Sequence, residues 1–237
     1  MAKHGKKYEA LADKIDKATA YQPKEAIDLL KKSAPAKFDE TVELHLRMGL
    51  DPRNSAQQVR GIALLPHGLG KKVRVLVFAQ GEAEKIASDA GADFVGGDDM
   101  IKKVEGGWVD FDTAIAVPEM MGKVGKLGKI LGRKGLMPNP KSGTVAAMND
   151  LPHVIEDARK GRVEYKLDRT AIIHVPVGKV SFEEQKLMDN LTAIMEAVVK
   201  AKPSGAKGQY VKSAYLTTTM GPSIKLDITS ATALTAG

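Results

Sequence analysis

The chain has 237 residues, no cysteine, a formal net charge of +7 and 43% hydrophobic residues. That length holds one large or two modest cores, and the missing cysteines exclude disulfides, thiolate metal sites and a cysteine nucleophile. Its longest apolar runs, residues 62–65 and 75–79, fall far short of the ~20 residues a membrane helix needs. The basic start, Met1 to Tyr8, has no apolar stretch behind it, so no secretory signal is expected and the expected location is the cytoplasm. Tyr8, Leu11, Ile15 and Ala18 are spaced as one face of a helix over 5–19. Pro23 suits a first helical position and predicts a second helix to about Ser33. From 38 to 50 the pattern alternates, with Val42, Leu44, Leu46 and Met48 on one side of a half-buried strand and Thr41, Glu43, His45 and Arg47 on the other.

The turn-rich stretch Pro66-His67-Gly68-Leu69-Gly70 marks a junction. After it, apolar strands at 73–78, 93–95 and 113–117 alternate with helices at 82–90 and 98–104, and a last helix runs over 151–160 to a cap at Gly161. This alternation predicts parallel βαβ packing over 69–160. Beyond Gly161 the pattern reverts to α+β. Strands at 163–167 and 171–177 are expected to pair through a turn at Asp168-Arg169. Ser181-Phe182-Glu183-Glu184 reads as a capping box opening a helix to about Ala201, and strands at 209–219 and 223–229 meet at Met220-Gly221-Pro222. Residues 69–160 carry 14 Lys/Arg against 13 Asp/Glu, the flanks 22 against 16. The contrast in pattern and charge predicts one domain inserted in another, with Gly68, Gly70 and Gly161 at the hinges.

Residues 120–149 contain no Asp or Glu but hold Lys123, Lys126, Lys129, Arg133, Lys134 and Lys141, interleaved with Gly122, Gly125, Gly128, Gly132, Gly135 and Gly143. Cations without an internal counter-charge call for an external polyanion, as nucleic acid is. The spacing fits neither a phosphate-binding Walker loop nor a dinucleotide fingerprint. Each interior glycine costs a helix about 1 kcal/mol relative to alanine, so a weak helix or an irregular basic segment is expected. A solvated loop is the bland alternative.

Two strand ends hold residue types suited to RNA. Lys37-Phe38 opens the strand over 38–50, and Thr217-Thr218-Thr219-Met220-Gly221-Pro222-Ser223 crosses a tight reversal. Threonine hydroxyls bond ribose and phosphate oxygens, methionine adapts to uneven surfaces, and glycine admits a close backbone. Shape-reading of folded RNA uses such groups, although Thr-rich strands and Met-Gly-Pro turns are also ordinary structure.

The combination resembles the bacterial family of large-subunit stalk proteins, ribosomal protein L one, nearly end to end. The matching segments are 37–43, 66–71, 91–97, 132–141 with 143–145, 174–179 and 217–223, of which Gly135-Leu136-Met137-Pro138-Asn139-Pro140-Lys141 is the most specific. The resemblance implies a split α+β domain with an antiparallel sheet from both chain ends, residues 1–68 and 161–237, and an inserted Rossmann-like α/β domain, residues 69–160. It implies binding of folded large-subunit rRNA through Lys37, Phe38, Thr41, Glu43, Ser213, Thr219, Met220 and Gly221, with Asp168 and Thr170 as weaker candidates. It further implies a mobile stalk that helps release deacylated tRNA from the exit site, repression of the protein's own operon mRNA, and a monomer when free.

Neither an enzyme nor a cofactor or metal is expected, because His4, His45, His67, His153 and His174 are scattered without ligand spacing. His174 reads as a structural histidine in an apolar strand and His67 as a hinge or capping residue. Two alternatives stay open. One is a KH-like single-strand binder built on Gly125-Lys126-Leu127-Gly128, the other a nucleotide-binding α/β protein suggested by fold analogy alone.

Overall fold

A computed structural model describes residues 5–234 of the chain, so Met1 to His4 lie outside the described residues. In chain order the elements are α1 (Lys6–Ala12), α2 (Pro23–Lys32), β1 (Thr41–Met48) and β2 (Arg60–Leu64). There follow β3 (Val75–Phe78), α3 (Glu82–Asp89), β4 (Phe94–Gly96), α4 (Asp98–Glu105), β5 (Thr113–Ala116), α5 (Met121–Val124), α6 (Gly128–Lys134) and α7 (Leu151–Lys160). The last segment holds β6 (Arg162–Lys166), β7 (Ile172–Lys179), α8 (Glu184–Lys200), β8 (Val211–Thr218), β9 (Ile224–Leu226) and α9 (Ile228–Thr232). They form two compact units, one from the segments up to Gly70 and from Val163 onward, the other from Lys71–Arg162.

The first unit is built on a four-stranded sheet in the order β7-β1-β8-β9, antiparallel throughout. Period-two alternation puts Val42, Leu44, Leu46 and Met48 of β1 beside Ile173, Val175 and Val177 of β7 on the buried face. Ala26, Ile27 and Leu30 of α2 and Leu187, Leu191, Ile194 and Val198 of α8 join them in one core. Full burial of each large aliphatic side chain contributes roughly 1.5–3 kcal/mol.

Several expectations change here. The first helix ends at Ala12 rather than near 19, because the Asp16 carboxylate accepts the Ala18 N–H at 2.9 Å and the Thr19 hydroxyl at 2.6 Å. Such local bonds offer the backbone an alternative to the helix ladder. The expected pairing of 163–167 with 171–177 reduces to an isolated bridge, Leu167–Ile173; β6 pairs instead with β2, a strand not expected from the periodicity. No capping box forms at α8, whose N-cap is Glu183. Ser181 instead donates its N–H (3.1 Å) and hydroxyl (2.8 Å) to the Asp39 carboxylate, tying the start of α8 to the loop before β1. The last strand stops at Leu226, where Asp227 accepts the Ser230 N–H and starts α9.

In the second unit three parallel strands run in the order β4-β3-β5. All four residues of β3 are buried, as expected of a strand covered on both faces. Alternation sends Leu76 and Phe78 into a cluster with Met100, Val104, Leu127 and Leu131. Val75 and Val77 enter another with Ala83, Ala87, Leu151 and Ile155. Asp112 anchors the strand ends: partial burial alone would raise its carboxyl, but hydrogen bonds from Lys71 and Arg74 hold it at about 2.

Candidate nucleic-acid interface

Glu40 continues the inward parity of Val42, Leu44 and Leu46, and its carboxylate is accordingly buried. One oxygen accepts the Ala36 N–H at 2.7 Å and the other accepts the Met220 N–H at 2.9 Å. A single side chain therefore fastens the loop before β1 to the turn after β8. Thr219 reinforces the join, its hydroxyl accepting the Thr41 N–H at 3.1 Å. Lys179 donates to the Thr41 hydroxyl at 2.9 Å and adds a cation that sequence reasoning did not single out.

This clamp leaves Phe38 and Met220 outside the core, 58% and 57% exposed. Both line one open groove of about 490 Å³, together with Lys7, Tyr8, Pro35 and Lys37. An apolar lining and two cations thus share one concave surface, which suits bases or sugars approached with their phosphates. Lys37, Phe38, Thr41, Thr219, Met220 and Gly221 gather at this end of the sheet.

Gly221 has a different basis from the one expected. A Cβ there would collide with the Thr218 hydroxyl and approach the Ser33 carbonyl oxygen at 3.3 Å. Thr218 is buried, and its hydroxyl accepts the Gly221 N–H at 3.0 Å. The turn itself requires the glycine, before any partner approaches.

The remaining candidates lie farther along the sheet. Glu43 faces Thr217 and Pro176, one row in from the groove, while Ser213 faces Arg47 toward the far end of β8. Four residues of strand separate Ser213 from Thr217, roughly 13 Å. Between these rows, His174, His45 and Tyr215 are in register across β7, β1 and β8, with Lys225 opposite Tyr215 on β9. His174, expected as a structural histidine in an apolar strand, lies on that strand's exposed polar face. Its Nδ1 meets the His45 Nδ1 at 2.7 Å, so one ring donates and the other accepts. Burial holds His45 below the ordinary histidine range, the neighbouring His174 lowers it further, and Glu43 partly opposes both.

Asp168 and Thr170 bond mainly to their own turn. Partial burial alone would raise the Asp168 carboxyl, but the Thr170 hydroxyl and the Ile172 and Thr170 N–H groups hold it below the usual carboxylate range. Ala171 adopts φ +62° in this turn.

At the junction, Gly68 (φ +65°), Gly70 (φ +69°) and Gly161 (φ +107°) all occupy the left-handed region. Asn190, fully buried on α8, accepts the His67 N–H and donates to the carbonyls of Gly68 and Val177. The His67 ring Nε2 lies 2.9 Å from the Asp189 carboxylate, a side-chain hydrogen bond to α8 rather than a helix cap. Asn190 was legible in principle, as a polar residue inside the apolar stripe Leu187, Leu191, Ile194.

The basic tract of the second unit is helical but interrupted: α5, a 3-10 turn over Gly125–Leu127, then α6. Val124, Leu127 and Leu131 face the core. Lys123 is bound to Asp98 at 2.8 Å, so it is already neutralised. The loop beyond is held by its own bonds, Asn139 N–H to Thr144 Oγ1 at 2.8 Å and Lys141 N–H to Asn139 Oδ1 at 2.8 Å, and by Arg162 on the Ser142 carbonyl.

Among the described residues, no helix is long and apolar enough to cross a membrane. A model of the Ribosomal protein L1p/L10e family matches residues 30–222. The Large ribosomal subunit protein uL1 of Dehalococcoides mccartyi, in strains BAV1 and CBDB1, is 63% identical over 234 residues, covering 99% of each chain. The protein of the same name from strain 195 is equally similar. A matched span this long, with identity this high from end to end, leaves one assignment: the chain belongs to the bacterial ribosomal protein L1 family, a family of structural ribosomal proteins and not of enzymes.

Proposed function

We propose that this chain is a structural protein of the large ribosomal subunit that binds a folded segment of large-subunit rRNA through the unit built from both chain ends. The observation that carries the reading is the Glu40 clamp, which holds exposed Phe38 and Met220 in one groove flanked by Lys7 and Lys37. Apolar anchors supply fit, threonine hydroxyls reach sugar and phosphate oxygens, and the lysines supply attraction blind to sequence. The contact set is Lys37, Phe38, Thr41, Glu43, Thr219, Met220 and Gly221, with Ser213, Asp168 and Thr170 at its margins. In this reading residues 1–68 and 161–237 are the RNA-binding domain, and residues 69–160 are an inserted Rossmann-like domain.

The family relationship supports three further roles. The protein forms the mobile stalk of the cytoplasmic ribosome, assists release of deacylated tRNA from the exit site, and represses its own operon by binding a messenger site that mimics the ribosomal one. It is monomeric when free.

The decisive experiment compares the full chain with Phe38→Ala and Met220→Ala for binding to large-subunit rRNA. Phe38→Ala loses affinity by about tenfold, since base–aromatic stacking contributes roughly 1–3 kcal/mol, and Met220→Ala loses severalfold with the apolar area it no longer buries. Wild-type affinity in both variants would overturn the assignment of this groove. For the assembled state, the protein co-sediments with large subunits after a moderate salt wash.

A further inference from the structure

We propose that the outer face of the helical run 121–134 is a second RNA-binding surface, which takes a phosphodiester backbone lying along the helix. It relies on the RNA-binding reading of the chain but on neither Phe38 nor Met220. The cations carry it. Lys126, Lys129 and Arg133 follow the spacing i, i+3, i+7, which aligns them in one row on the side opposite the buried Val124, Leu127 and Leu131. All three are exposed, and none has a carboxylate within ion-pair distance among the described residues, whereas Lys123 beside them is matched by Asp98. At a rise of 1.5 Å per residue, the row places charges about 4.5 and 6 Å apart along the axis, the scale on which a nucleic-acid strand repeats its own.

The glycines define how the anion approaches. Gly125, Gly128 and Gly132 share the same spacing one residue earlier and form the adjoining row. A Cβ built at any of them meets nothing within 4 Å, so no packing inside the protein requires glycine there. Their effect is outward: beside the cations runs a strip of bare backbone on which a bulky chain rests without steric hindrance. Val124, Leu127 and Leu131 are buried and Met121 and Ile130 are half-buried against the same core, so the face offers a bilayer little apolar surface, and this disfavours a membrane surface. Lys134 and Lys141, the latter in the hydrogen-bonded loop 139–144, extend the charge beyond the helix.

The test uses the full chain with three probes, large-subunit rRNA, deacylated tRNA and a short RNA duplex of arbitrary sequence. K126Q/K129Q/R133Q binds at least one probe about tenfold or more weakly near 0.1 M salt, and its slope of log affinity against log salt is shallower by about 2–3. G125A/G128A/G132A melts no lower than the parent chain yet binds the same probe severalfold more weakly, its cations being intact. Loss confined to tRNA, or confined to rRNA, identifies the source of the backbone. Parental affinity in the glycine variant, or an unchanged salt slope in the cation variant, overturns the proposal. Repeating the series in F38A separates the two surfaces: losses that persist there, with F38A itself binding normally, sink the groove assignment and leave this one standing.

Discussion

The Glu40 carboxylate, 1% exposed, accepts the Met220 N–H at 2.9 Å across 180 positions of sequence. Its other oxygen holds Ala36, so the carboxylate is the common support of both loops that carry the exposed Phe38 and Met220. Removing it strands two inward-facing N–H groups. Hydrogen bonds to charged groups contribute about 1.5–3 kcal/mol each, so Glu40→Ala is expected to cost about 3 kcal/mol in urea unfolding. Glu40→Gln keeps one acceptor and turns an NH₂ toward the other donor, so it recovers at most half of that loss. Full stability in Glu40→Gln would show that one of the two bonds contributes little.

Much of this clamp was written in the alternation of β1. The parity that buries Val42, Leu44 and Leu46 assigns Glu40 to the same face, and a carboxylate there requires buried donors. Which donors could not be read from parity, because one of them comes from a turn 180 residues away. The same limit explains the Ser181 error: the capping-box pattern was present, but Asp39 on a distant loop competed for its hydroxyl and won. The β6 error has a related cause. Two apolar strands joined by a tight turn suggest a hairpin, yet whether they pair depends on β1 and β2, which offer each a better neighbour. Gly221 drew attention for an outward reason, whereas the structure gives it an inward one. The parallel strands β3 and β5 were legible because burial on both faces leaves an unbroken apolar run.

Phe38 and Met220 line the same groove, so their contributions to RNA binding are expected to couple. In a double-mutant cycle, the loss in Phe38→Ala/Met220→Ala should fall short of the sum of the single losses by about 0.5 kcal/mol or more. The melting temperatures of all three variants stay near the parent value, since both side chains are largely solvent-exposed. Strict additivity would place the two residues on separate parts of the RNA.

Acid weakens the sheet through His45. Burial first, and then the neighbouring His174, hold its folded pKa below the ordinary 6.5, with Glu43 opposing. Between the folded value and 6.5 the unfolded chain binds more protons than the native one, so stability rises with pH across that window. It therefore declines as the pH drops from about 6.5, and the contribution is complete above it. His45→Gln removes the titrating group and flattens this part of the curve. Urea unfolding between about pH 5 and 7.5 reads the difference, and an equally steep curve in the variant would assign the effect elsewhere.

Asn190 supports the junction at Gly68 from within the core. It is fully buried, yet it satisfies three backbone groups, the His67 N–H at 3.1 Å, the Gly68 carbonyl at 3.0 Å and the Val177 carbonyl at 2.8 Å. Two of these belong to the turn-rich stretch 66–70, where glycines supply the left-handed geometry but no side chain of their own to fix it. Asn190→Leu preserves bulk and leaves those groups without their partner, at about 1–3 kcal/mol for each group left unsatisfied in the interior. The loss should appear locally before it appears globally. Limited trypsin digestion is expected to cut after Lys71 or Lys72 severalfold faster in the variant, under conditions where far-UV circular dichroism remains native. Asp189→Asn, which alters only exposed contacts, those to the His67 ring and the Gln185 amide, serves as the comparison and should digest at the parent rate. Equal rates for Asn190→Leu and the parent chain would mean that the glycine turn holds its shape without help from α8.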